Sequence, residues 1–117
     1  MGRTLFFVLV FAVLLPACSG NKPPAFCGVM DAARIAVADV SPNRYPDVAG
    51  QQVGTVRRAA KDLTGAESAL ALKVANDLQA ASKAKAGSFD FTNRYNKFVR
   101  DSNEFIHRYC NVTEPPD

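Results

Sequence analysis

Tryptophan is absent from the 117-residue chain, histidine occurs once and methionine twice. Charge of one sign is also lacking: 14 Lys and Arg face 11 Asp and Glu. Such a near balance, spread along the chain, gives no electrostatic footprint for nucleic acid, so no nucleic-acid partner is expected. The glycines are scattered and form no phosphate loop, and neither Gly-x-Ser-x-Gly nor His-Glu-x-x-His occurs. The Cys-x-x-Cys and metal-finger spacings are missing too. These absences remove the recognisable routes to catalysis, nucleotide binding and metal binding. The expectation is a protein that is not an enzyme and takes no cofactor and no metal. Few runs of β-branched residues occur, and alanine is abundant, which favours helix over sheet.

What is present begins at the N-terminus. Met1-Gly2-Arg3 is a short positive segment, and Leu5 to Leu15 is an unbroken apolar run. Pro16 ends the run, and Ala17-Cys18-Ser19-Gly20 follows as a stretch of small residues. This order is that of a secretory signal peptide, read here over 1–17. The run falls short of the roughly 20 apolar residues a membrane span needs. A buried core helix is the competing reading. With the signal set aside, about 100 residues remain, enough for one domain with a modest core.

Three cysteines are an odd number. If Cys18 is lipidated or removed, Cys27 and Cys110 remain as a pair, which an oxidising compartment would join. Two unpaired buried thiols are the alternative.

Residues 18–24 read as a flexible tether and 112–117 as a disordered, proline-containing tail, leaving 25–111 as the folded domain. Apolar spacing places a first helix from about residue 24 or 25 to 40, with Phe26, Met30, Ala33, Val37 and Val40 on one face. Residues 41–46, with two prolines, read as a loop. A second helix over 47–63 carries Ala49, Val53, Val56, Ala60 and Leu63, and is weakened by Gly50 and Gly54. A third over 66–86 carries Leu70, Val74, Leu78 and Ala81, helped by Ala71 and Leu72, with Gly87 as its C-terminal cap. A fourth over 90–110 has the clearest stripe: Phe91, Tyr95, Phe98, Ser102, Phe105 and Tyr109, with Val99 and Ile106 beside it. Ser88 and Asp90 are its candidate N-caps. Lys97 with Asp101 and Glu104 with Arg108 are four apart and read as ion pairs on its solvated face.

The cysteines then constrain topology. Cys27 starts the first helix and Cys110 ends the fourth. In an antiparallel bundle these lie at the same end only if the helix count is even; three helices would separate them by a helix length, far beyond disulfide reach. The expected fold is all-α, a small antiparallel four-helix bundle closed by a Cys27–Cys110 disulfide.

The side chains offer few candidate sites. His107 near the end of the fourth helix suits a surface position favoured by the helix dipole. Asp101 and Glu104 alternate with basic residues and suit a solvated face better than a metal. Arg57, Arg58 and Lys61, with Lys83 and Lys85, serve solubility or contact with anionic lipid headgroups. Phe91, Tyr95, Phe98, Phe105 and Tyr109 are the candidate ligand-lining residues, although a stripe at helical spacing is more often core. Asn111-Val112-Thr113 matches an N-glycosylation acceptor, which a bacterial origin would leave without meaning.

Leu15-Pro16-Ala17-Cys18 resembles a bacterial lipobox, in which the cysteine becomes the new N-terminus and carries the lipid. Proline at the second position departs from that pattern, and ordinary signal-peptidase cleavage a residue or two later competes with it. Together with the Cys27 and Cys110 pair and the ending Tyr109-Cys110, the whole chain resembles small exported lipoproteins of actinobacteria. That resemblance implies lipidation at Cys18 and a location at the outer face of the cell membrane, with plain secretion as the alternative. Tyr45-Pro46-Asp47-Val48 is similar to a motif of small secreted mycobacterial haem-binding proteins. That likeness alone implies Tyr45 as an axial haem ligand and His107 as a distant second. The histidine-rich ligand set of those proteins is missing.

The expected role is a non-catalytic interaction module of the cell envelope, tethered to the membrane through Cys18 and bound to another envelope protein. The alternative is a carrier of a small molecule, lipid or haem.

Overall fold

A computed structural model describes residues 24–110. The signal peptide read over 1–17, the lipidation candidate Cys18, the tether short of Pro24 and the tail 112–117 lie outside the described residues.

Four helices follow one another: α1 (Ala25–Ala38), α2 (Tyr45–Ala60), α3 (Gly65–Ser82) and α4 (Phe89–Phe105). A 3₁₀ turn, Pro42–Arg44, leads into α2, and a π turn, Ile106–Cys110, continues α4. Each helix packs on the next in an up-down-up-down bundle. Cys27 and Cys110 are joined, with their Cα atoms 5.9 Å apart. The link closes a loop of 83 residues. In the chain-entropy account that contributes about 4–5 kcal/mol.

The core follows the stripes. Phe26, Met30, Ala33 and Val37 of α1 are buried against Val48, Ala49, Val56 and Ala60 of α2 and Ala71, Val74, Ala75 and Leu78 of α3. Small side chains on α3 face Phe98 and Phe105 of α4, so large groups fill the space that alanines leave. Val53, Leu63, Leu70 and Leu72 are only partly buried and pack at the margin.

Helix ends depart from the sequence expectation by a few residues. α1 stops at Ala38, not Val40, because Ser41 before Pro42 is extended (ψ 152°), as a residue preceding proline prefers. α2 begins at Tyr45, not Asp47, because Pro46 occupies the first turn, where its missing N–H costs nothing. It ends at Ala60, and Lys61 to Leu63 form a tight turn of three-residue hydrogen bonds before Gly65 takes φ +62°. α3 ends at Ser82, so Gly87 (φ +75°) is not its cap but turns the loop into α4. Of the two candidate caps for α4, Ser88 serves: its hydroxyl accepts from the Phe91 N–H at 3.0 Å. Asp90 instead pairs with Arg94 at 2.9 Å.

The disulfide also sets the register between the first and last helices. Arg34 lies seven residues after Cys27, and Asn103 seven before Cys110; the two are hydrogen bonded at 3.0 Å. α1 therefore ends opposite the middle of α4. The first two turns of α4, which carry Phe91 and Tyr95, outrun the helix that covers the rest of their stripe.

Candidate functional site, an aromatic cleft at the end opposite the disulfide

Where α1 stops, the 3₁₀ turn and the start of α2 cross over the exposed end of α4. The result is a cleft of about 360 Å³, partly open to solvent. Val37, Ala38 and Pro42 form one side, Tyr45 the start of α2, and Gly87, Phe91, Thr92, Tyr95 and Asn96 the other side. Its wall is a run of stacked rings. Tyr45 and Phe91 have centroids 5.9 Å apart and planes at 27°, and Phe91 and Tyr95 are 5.5 Å apart at 13°. Tyr95 also leans on the core ring of Phe98 at 5.3 Å. Offset aromatic contacts of this kind hold the rings in place at about 0.5–1.5 kcal/mol each.

A flatter depression continues from the cleft across Ala38 and Tyr95 to Asp31, Arg34, Ile35 and Val99. Ile35 is 59% exposed there, and Phe89, in the first turn of α4, is 82% exposed. These are the large apolar side chains most open to solvent among the described residues. Burial pushes the Tyr95 hydroxyl above the ordinary phenol value, against the pull of Arg34. It is a neutral hydrogen-bonding group at any physiological pH. The lining of the cleft itself carries no carboxylate, imidazole, thiol or ammonium group. It can stack, enclose apolar surface and offer phenol, amide and hydroxyl groups.

The five aromatic residues expected to line a ligand site are thus divided. Phe91 and Tyr95 line the cleft, whereas Phe98 and Phe105 are fully buried core and line neither the cleft nor the depression beside it. Phe105 stands edge-on to Phe26 at 4.8 Å, and Tyr109 packs on Phe105 at 4.9 Å beside the disulfide. Tyr45 belongs to the cleft, but the sequence offered it only through the haem likeness. Tyr45 lies at the cleft end, while His107 is exposed on the π turn at the disulfide end. The two cannot face one iron.

The charged residues are also rearranged. Glu104 pairs with Arg108 at 2.8 Å as the spacing suggests. Asp101 does not pair with Lys97 on a solvated face. It is buried against α3, 3.9 Å from Lys73, while Lys97 reaches across to Asp77 at 3.8 Å. Arg57 is not a free surface cation: it donates to Asn76 at 2.9 Å and to Gln79, bridging α2 to α3. Arg58 and Lys61 are not drawn into such a bridge, and Lys61 is exposed.

Among the described residues no helix is long and apolar enough to cross a membrane, and no three His, Cys, Asp or Glu side chains are grouped to hold a metal. Compared with family models, curated proteins and solved structures, the chain matches none.

Proposed function

We propose that the mature chain is an exported, lipid-anchored recognition module without catalysis, and that its cleft takes an apolar segment of another envelope protein. The observation that carries this reading is the aromatic cleft, with Ile35 exposed beside it. Contiguous exposed apolar surface on a small domain is costly unless a partner covers it. Stacked, pre-ordered rings are suited to an inserted proline, aliphatic or aromatic side chain, because little rotamer freedom is lost on binding.

The position of the cleft supports the same reading. The described chain enters at Pro24, beside the disulfide, and α1 spans about 21 Å from there to the cleft. Cys18 lies six residues before Pro24, a reach of at most about 20 Å. A lipid on Cys18 would hold the disulfide end towards the membrane and leave the cleft facing outwards.

The test is purification from the native membrane. The wild-type chain is expected to co-migrate with a second protein in fixed stoichiometry, and Asn96→Arg, which puts a charge into the cleft from an exposed position, is expected to release it. A chain that runs alone in both forms contradicts the reading.

A second reading, a carrier of one small apolar molecule, draws on the volume of the cleft, which lies at the lower end of the roughly 300–1,000 Å³ of ligand pockets. Native mass analysis that finds a small molecule bound to wild type but not to Asn96→Arg would favour it.

A further inference from the structure

Between α3 and α4, away from the cleft, two acidic side chains are buried side by side. The side chain of Asp77 is 8% exposed and that of Asp101 is 5% exposed. Lys73 and Asp77, one turn apart on α3, face Asp101 and Lys97, one turn apart on α4, which makes the two carboxyl groups neighbours across the seam. Oδ2 of each is buried and has no hydrogen-bond partner. The cations that face them are half-exposed and stand off: Lys97 of α4 is 3.8 Å from Asp77, and Lys73 of α3 is 3.9 Å from Asp101. Other charges nearby are committed elsewhere. Arg57 of α2 is bonded to Asn76 and Gln79, Arg94 of α4 to Asp90 and the Ala80 carbonyl, and Glu104 to Arg108.

Two neighbouring carboxylates repel, and two buried oxygens without a hydrogen bond are costly; the Lys73 ammonium, 3.9 Å from Oδ2 of Asp101, is too far to donate to it. One proton removes both penalties: a protonated carboxyl donates its O–H to the other carboxylate, and each orphaned oxygen gains a partner. The geometry points to a proton shared by Asp77 and Asp101 that clamps α3 to α4, so that losing it as pH rises loosens this seam. Burial, and then the neighbouring Asp101, push the Asp77 carboxyl up to about 7, against Lys97 and Lys73, which agrees with this geometry. The clamp is a pH-sensitive element of the bundle itself. It leaves the cleft lining untouched and is independent of what the cleft binds.

The experiment is equilibrium unfolding of the oxidised mature protein at pH values from 5 to 8.5, for wild type and for Asp77→Asn. A proton held by the folded state and released on unfolding lowers the folding equilibrium constant about tenfold per pH unit between pH 5 and 7. The side-chain amide introduced by Asp77→Asn donates an N–H to Asp101 at every pH. The folding constant of the variant should therefore be flat over that interval and should exceed that of wild type at pH 8. A flat wild-type profile, or a variant that keeps the wild-type slope, overturns the proposal. Should the variant fail to fold, carboxyl carbon resonances of folded wild type decide: one aspartate titrating near neutral supports the shared proton, and all aspartates titrating in the ordinary acid range overturn it.

Discussion

Arg34 of α1 donates to Asn103 of α4 at 3.0 Å, in the same register that the Cys27–Cys110 bond imposes. From this relationship it follows that α1 ends before the aromatic stripe of α4 does, and the uncovered part of the stripe becomes the cleft wall. The position of the candidate site is a consequence of helix length and register.

Within the stripe, core and cleft residues should therefore behave differently. Phe98→Ala removes a fully buried ring and should cost about 3–5 kcal/mol of stability. Tyr95→Ala removes a half-buried ring at the cleft and should cost less than half as much in urea unfolding, while abolishing partner binding. Equal losses of stability would place Tyr95 in the core.

Reduction should weaken the bundle strongly. Opening the Cys27–Cys110 link, or replacing both residues by serine, is expected to remove about 4–5 kcal/mol. Urea unfolding with and without reductant measures it. A change below about 1 kcal/mol would mean that the unfolded chain already holds these ends together.

The lysines around the acidic pair give a signed pH prediction. Asp77 is held up to about 7, and Lys97 pulls it down. An acid raised in the folded state contributes stability that is complete below its unfolded value, about 4, and is lost as pH rises through the folded value. Lys97→Met removes a lowering charge, so the pH at which this stability is lost should move upwards, with the variant and wild type alike at pH 5 and different at pH 8. A downward movement of that midpoint in unfolding experiments would contradict the arrangement.

Two glycines should respond in opposite directions. Gly54 is helical, and a methyl group there meets nothing within 4 Å, so Gly54→Ala should stabilise by about 0.5–1 kcal/mol. Gly87 has φ +75°, so Gly87→Ala should destabilise by about 1–2 kcal/mol despite the same open space. Thermal unfolding of the two variants compares them directly.

Much of this fold was legible in the sequence. The spacing of Phe26, Met30, Ala33 and Val37 marked the buried face of α1, and a bond between Cys27 and Cys110 favoured four helices over three. Less was legible where the outcome depends on a neighbouring helix. Asp101 has Lys97 one turn away, which satisfies the local rule for an exposed pair, yet Lys73 and Asp77 on α3 decide its partners and its burial. The stripe of α4 looks uniform from Phe91 to Tyr109; only the endpoint of α1 separates cleft from core. Tyr45 was hidden among Pro42, Asn43 and Pro46, which read as a loop although Pro46 belongs to the first turn of α2. The residues at 1–23, on which the expected export and lipid signals fall, are read from sequence alone.

The most direct test of the binding surface is site-specific photo-crosslinking in the native envelope. A photoreactive residue is placed at Thr92, an exposed position lining the cleft, and a second at Gln51, an exposed position on α2 that does not line it. One discrete protein adduct is expected from Thr92, lost when Asn96→Arg is added, and none from Gln51. An adduct that survives Asn96→Arg, or one that forms from Gln51 and not from Thr92, would contradict the assignment of the cleft as the recognition surface.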